Sequence, residues 1–286
     1  MSKSKITIVV PVGGEKYLDD YYRLNNNLLY SIDKLFDLNY LQEVIVITNH
    51  PDKVEKENRP YLKILKDNEV RESNESGWGF QQVLKLEVSK YVQTEWYLTM
   101  DSDCYFTKPN VNTADFFNED GKAFIGITQN AGDFHTWWHN SALFLDSPVK
   151  NLEGCCTVTP VMMNRNYTRD LCDKYDVLEG IIEKKCTEYT LYWTYLSKLN
   201  VALKTYINKP ITYGCMWGQE IQNAKHFPNW DFHGLICDRI LCAQFNSIER
   251  RETSLFSSAA SRKYKLDYKY ICDRIKQYIK QNAHLP

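Results

Sequence analysis

Two short runs dense in β-branched residues, Ile6–Val12 and Val44–Thr48, frame a stretch with helical spacing. That order, apolar strand, amphipathic helix, apolar strand, narrows the folds open to the chain more than any other feature. Runs apolar on both sides suit strands covered on both faces, the mark of a parallel sheet wrapped by helices. Between them, Leu18, Tyr21, Leu24, Leu28, Ile32 and Leu35 recur at three- and four-residue steps, which predicts a helix from Tyr17 to about Leu38. Tyr61–Leu65 reads as a third strand, Phe80–Leu86 as a helix opened by the Gly-rich loop Asn74–Gly79, and Trp96–Met100 as a fourth strand. The expected class is α/β, a mostly parallel Rossmann-like sheet flanked by helices.

The fourth strand ends in Asp101-Ser102-Asp103. In extended backbone, residues i and i+2 face the same way, so the two carboxylates can address one ligand. Ligands bind at the carboxyl edge of open α/β sheets, and a hard divalent cation takes oxygen ligands and brings phosphate oxygens with it. A solvated turn is the plainer reading of the same residues.

Further along, Phe116-Phe117 reads as a short helix and Ala123–Thr128 as a strand. The segment Asp133-Phe-His135-Thr-Trp137-Trp138-His-Asn140 is dense in aromatics. It suits either a ligand-facing wall or a helix packed by its rings. The segment 154–165 reads as a strand that exits into a helix, and 171–199 as largely helical, with Thr187 capping a helix that begins at Glu188. Tyr213–Gly218 reads as a loop, Ile236–Phe245 as strand then helix, and 268–279 as a C-terminal helix behind a Ser-rich linker. The expected organisation is one domain over 1–250 in two halves that divide at about 110, which the family resemblance given below makes a catalytic domain with a nucleotide-binding half and an acceptor half. Residues 251–286 would be a linker and a helix packed on that domain.

The formal net charge of -1 removes the basic footprint of a nucleic-acid binder. No stretch approaches the roughly 18 apolar residues of a membrane helix, and the basic start Met1–Lys5 leads into a run too short for a secretory signal. A cytoplasmic protein with reduced thiols is therefore expected. The nine cysteines are scattered and include no C-x-x-C pair, so neither zinc nor a disulfide framework is indicated. Twenty Tyr and seven Trp supply rings with polar handles, suited to sugars and nucleosides as well as to a core.

Taken in order, the strand Ile6–Val12, the block Gly77-Trp78-Gly79-Phe80-Gln81-Gln82-Val83-Leu84-Lys85-Leu86, the motif Asp101-Ser102-Asp103 and the block Thr187-Glu188-Tyr189-Thr190-Leu191-Tyr192 resemble GT-A-type glycosyltransferases. The last three are similar to blocks in small nucleotide-sugar transferases of bacteria and of large algal DNA viruses, the chlorovirus type. The resemblance spans about residues 5 to 200. It implies a UDP-sugar donor, with UDP-xylose one option, a glycan acceptor, and manganese or magnesium as cofactor. It implies that Asp103 binds the metal and Asp101 the metal or the ribose. The donor would further meet Pro11, Val12, Gly13, Trp78, Gln81, Gln82, Lys85 and Ser102. The acceptor would meet His135, Trp137, Trp138, Tyr189 and Trp217. Glu188 would take the acceptor proton in an inverting reaction, with Asp133 the next choice, and a late histidine, His233 or else His135 or His226, would complete the metal site. Two other functions fit a similar outline: a sugar nucleotidyltransferase, for which Gly13-Gly14-Glu15-Lys16 is a poor triphosphate loop, and a non-catalytic carbohydrate-binding protein.

Overall fold

The computed structural model describes residues 5–13, 18–106, 109–125, 134–148, 159–208, 212–216 and 240–245, together with 273, 276, 277, 279, 280 and 283. These divide into two compact units: residues 1–17, 39–101 and 112–211 in the first, and 18–38, 102–111 and 212–286 in the second.

The first unit is built on a five-stranded sheet. Its strands are β1 (Ile6–Pro11), β2 (Leu41–Ile47), β3 (Leu62–Leu65), β4 (Trp96–Thr99) and β7 (Val161–Asn164), in the order β3-β2-β1-β4-β7. The first four run parallel, and β7 lies antiparallel on β4, pairing Trp96 with Asn164 and Thr99 with Val161. The mostly parallel sheet expected from the apolar runs is therefore present, closed at one edge by an antiparallel strand. Every residue of β1 is buried. Burying one Val, Leu or Ile side chain contributes about 1.5–3 kcal/mol, and the sheet's centre carries many: Ile8, Val9, Val10, Val44, Ile45 and Val46 are all fully buried.

Helices pack around this sheet: α3 (Asp67–Val70), α4 (Gly77–Glu87), α5 (Phe134–Phe144), α6 (Arg165–Lys174), α7 (Glu188–Lys198) and the short α8 (Ala202–Thr205). A two-stranded parallel ribbon joins β6 (Ala123–Ile125) to β8 (Tyr206–Asn208). Several of the aromatics noted in the sequence pack in this unit's core. Trp193, Tyr97, Tyr189, Tyr192 and Tyr195 are almost completely enclosed, and the Tyr192 hydroxyl meets that of Tyr206 at 2.7 Å. Buried phenols need such partners.

The second unit begins with the predicted helical run, which is realised as α1 (Leu18–Arg23), a π-helical segment Leu24–Leu29 and α2 (Tyr30–Leu35). It also holds a three-stranded sheet of β5 (Cys104–Phe106), β10 (Ile240–Phe245) and β9 (Thr212–Met216), with β10 central. The Ser31 hydroxyl accepts from the Phe106 amide at 3.0 Å, tying the helical run to β5. Among the C-terminal residues described, Ile279 is buried and Lys276 lies over the Tyr30 ring.

Three local expectations are corrected. Residues 212–216, read as part of a loop, form β9. Gly214 weakens the strand signal, but parallel pairing with β10 satisfies the backbone there. Ile240–Phe245 stays extended to its end, because it pairs with a strand on each side. Phe116 follows a 3-10 turn, Thr113–Asp115, and Phe117 makes a β-bridge to Ala123, so the Phe pair is not helical. Among the described residues, no helix is long and apolar enough to cross a membrane.

Candidate functional site

β4 sets out the site by simple alternation. Tyr97, Thr99 and Asp101 follow one another at two-residue spacing, and all three reach residues of α4 or α7. The Tyr97 hydroxyl donates to the Lys85 carbonyl at 3.1 Å, and the Thr99 hydroxyl meets that of Tyr189 at 3.0 Å. The Asp101 carboxylate meets the Lys85 ammonium at 2.7 Å. The Met100 amide still donates to Val9, so the backbone remains tied to β1 up to Asp101.

α4 brings Lys85 in among buried neighbours. Phe80, Val83, Leu84 and Leu86 are enclosed, and Lys85 and Gln82 share that environment. α7 brings Glu188 in at its first turn. Thr187 caps the helix as the sequence predicts: its hydroxyl accepts from the Thr190 amide at 3.3 Å. Ser141 of α5 braces the same turn through Thr190 at 2.8 Å. The Glu188 amide, left without a partner inside its own helix, donates to the Gln82 side-chain oxygen at 3.3 Å. That bond fixes which way the Gln82 amide points. Its nitrogen is then buried without a partner among the described residues.

Lys85 is the hub. Its ammonium lies 2.7 Å from Asp101, 3.0 Å from Glu188 and 3.4 Å from the Tyr189 hydroxyl, and 5.2 Å from the centre of the Tyr189 ring. The two carboxylates differ sharply in access. The Glu188 side chain is 6% exposed and that of Asp101 37%. Burial acts to lower the Lys85 pKa, but the carboxylates of Asp101 and Glu188 outweigh it and hold the group well above an ordinary lysine. Burial raises the Glu188 pKa, against the pull of Lys85. Burial likewise raises that of Tyr189. One ammonium against two carboxylates leaves the cluster with a formal charge of −1.

Of the residues singled out in the sequence, Gln82, Lys85, Asp101, Glu188 and Tyr189 come together here. Pro11, Val12 and Gly13 are buried at the carboxyl end of β1. Ser102 and Asp103 are buried and belong to the second unit. Trp138 is buried in α5, whereas Trp137 lies against Trp78 with ring centres 6.2 Å apart. Gln81 is half-buried. Asp133, Trp217, His226 and His233 lie outside the described residues, as does the side chain of His135. Thr99 was passed over in the sequence as a strand residue. The two-residue step from Asp101 was the signal that could have found it.

Residues 3–232 match a family described as being of unknown function, DUF6492. The chain belongs to this family. No curated protein matches this DUF6492 member in sequence. Among solved structures it is similar to the apo structure of WbbM, a bifunctional glycosyltransferase, with a TM-score of 0.51 at 13% identity. The similarity covers 85% of this chain and 46% of the WbbM chain, so the present chain spans less than half the length of that neighbour. At such identity the likeness shows a shared fold alone.

Among the described residues of this DUF6492 chain, no three His, Cys, Asp or Glu side chains cluster as a metal site. The donor chemistry nonetheless suits a hard cation in part. Asp101 is the accessible carboxylate of a net-negative cluster, although one of its oxygens already faces Lys85.

Proposed function

We propose that this protein is a glycosyltransferase that moves a sugar from a nucleotide-diphosphate donor, such as a UDP-sugar, to a hydroxyl of a glycan acceptor. The observation that carries this reading is the Lys85 ammonium, clasped by Asp101 at the carboxyl end of a parallel strand and by Glu188 behind it. The glycosyltransferase-like fold and the order of the sequence blocks support it. A nucleotidyltransferase and a non-catalytic sugar-binding protein are the rivals.

The residues divide the work as follows. The leaving diphosphate gains negative charge as its bond to the anomeric carbon breaks. Lys85 is already paired with two carboxylates in a net-negative cluster, so its part would be to hold Asp101 and Glu188 in place. Glu188 would accept the acceptor proton; burial raises its pKa, against the pull of Lys85. Direct displacement would invert the anomeric centre. Asp101 would hold manganese or magnesium, with Asp103 two residues on and a histidine such as His233 as further ligands by the sequence pattern. When bound, that cation would offset charge on the diphosphate. The enzyme would work in the cytoplasm.

The difference in access favours one second reading. Glu188 is nearly enclosed, so it would act by positioning Lys85, and through it Asp101, rather than by touching the acceptor. The two readings separate in Glu188→Gln. A base variant keeps donor affinity and loses turnover by roughly 10²–10⁴-fold. A positioning variant loses donor affinity as well.

The decisive assay incubates the protein with a panel of UDP-sugars, UDP-xylose among them, with and without manganese, and measures released UDP. Manganese-dependent release that disappears in Asp101→Asn sustains the proposal. Consumption of UTP and a sugar phosphate would favour nucleotidyl transfer, and neither activity, with saccharide binding intact, would leave the binding protein.

A further inference from the structure

We infer that Trp78 and Trp137 form a stacking platform for a sugar ring of the acceptor glycan, an extended subsite some distance from the charged cluster. The inference rests on the glycosyl-transfer reading above for the word acceptor. The saccharide site itself stands on independent geometry.

Trp78 sits in the first turn of α4 and is 65% exposed. A large indole left in water costs solubility, and exposed aromatic clusters mark binding surfaces. This one is not solitary. The Trp137 ring from α5 lies 6.2 Å away, tilted by 41°, so two indoles make one apolar surface. Polar residues follow one helical turn on, Gln81 after Trp78 and Asn140 after Trp137. A sugar ring presents the matching pattern, an apolar face of C–H groups with a rim of hydroxyls.

The helix then connects this surface to the cluster. Trp78, Gln82 and Lys85 stand at i, i+4 and i+7, one stripe along one face of α4. Seven residues of helix rise by about 10 Å. Along the stripe the environment changes from the exposed Trp78, through the buried Gln82, to the ion-paired Lys85. α5 makes the same link from its own side: Trp137 and Ser141 are one turn apart, and Ser141 braces the start of α7 beside Glu188. Gln82 and Lys85 are buried, so the platform lies at the surface, about two helical turns from the cluster.

The openness of the platform selects the glycan over the nucleotide. Small-molecule sites enclose roughly 70–90% of their ligand. An exposed Trp78 beside a half-buried Trp137 encloses little, which suits a chain that extends past the site into water.

The test uses the full-length protein on an array of immobilised oligosaccharides, followed by titration of the best-binding free oligosaccharide, monitored by tryptophan fluorescence, and of UDP by calorimetry. The expected result is that Trp78→Ala and Trp137→Ala each lose at least tenfold in saccharide affinity, a change of about 1.4 kcal/mol. Trp78→Phe should retain most of it, and UDP affinity should be unchanged in all three variants. Trp78 is exposed, so its variants will fold, and a thermal melt checks this. Absence of saccharide binding by the wild-type protein, or wild-type affinity in Trp78→Ala, overturns the platform. So does a loss confined to UDP, which would make it a nucleotide contact. Saccharide binding lost in Trp78→Ala, in a protein that transfers no sugar from any donor, keeps the platform and removes the enzymatic reading. Unaltered transfer by Trp78→Ala, with an unchanged acceptor KM, does the reverse.

Discussion

Lys85 and Glu188, 103 positions apart in the chain, meet as a buried ion pair at 3.0 Å. Neither charge has enough water around it to stand alone. Removing one partner of such a pair typically costs about 3–5 kcal/mol, because the other is left buried and unpaired. Lys85→Met should therefore lower unfolding stability by that order in urea titrations at pH 7. Lys85→Met combined with Glu188→Leu should recover most of the loss. If the double variant is instead as unstable as the sum of the singles, the two side chains are not energetically coupled.

Tyr189 tests the hydroxyl side of the same cluster. Its phenol meets Thr99 at 3.0 Å and Lys85 at 3.4 Å, while its ring sits beside the ammonium. Tyr189→Phe keeps the ring and leaves the Thr99 hydroxyl one partner short. We expect a stability loss of about 0.5–1.5 kcal/mol, the usual net value of one hydrogen bond. Tyr189→Ala, which also opens a cavity, should cost about 3–5 kcal/mol. Chemical denaturation of the two variants side by side measures the difference.

Two glycines at helix–helix approaches should behave unequally. A methyl added at Gly79 would come 2.9 Å from the tip of the Ile182 side chain, which can swing aside. A methyl at Gly180 would come 2.8 Å from one Phe144 ring carbon and 3.2 Å from two others, and a ring has less room to yield. Gly180→Ala should lose about 1–3 kcal/mol through overpacking. Gly79→Ala should be near neutral, since alanine also favours the helix by up to about 1 kcal/mol. Equal melting temperatures for both would contradict the stated packing.

Asp67 gives a pH dependence away from the cluster. Partial burial pushes its pKa up to about 6 from 3.8, against the charge of His50, and one of its oxygens is buried without a partner among the described residues. A folded pKa above the unfolded one means that the group contributes stability below about pH 3.8 and loses that contribution as pH rises through 6. Asp67→Asn removes this loss. It should match the wild type near pH 3.5 and exceed it above pH 6. The gain should be on the order of 1 kcal/mol, kept modest because water still reaches the carboxylate. Thermal melts across pH 3.5–7.5 follow the gap, and a gap that does not widen with pH refutes the assignment.

Much of the first unit could be read from the chain alone. Ile6–Val12 and Val44–Thr48 are apolar on both faces, and only a sheet covered on both sides buries such runs. Thr187 before Glu188 announced a helix start through its own chemistry, since a threonine hydroxyl there satisfies a backbone amide whatever surrounds it. Local rules suffice when the decisive partners are local. They failed at Tyr213–Met216 and at Ile240–Phe245, where pairing partners far away in sequence decided for strand.

What the amino-acid order determined, then, was the alternation of strand and helix, the carboxylates at the end of β4 and the helix that opens with Glu188. Tertiary packing alone decided that Lys85 would stand between Asp101 and Glu188, that Thr99 and Gln82 would belong to the cluster, and that Trp78 would stay in water while Trp138 was buried. Side chains on three elements must be brought within about 3 Å before charge, burial and hydrogen bonding act on one another. Periodicity along a chain carries no record of which elements the fold will set side by side.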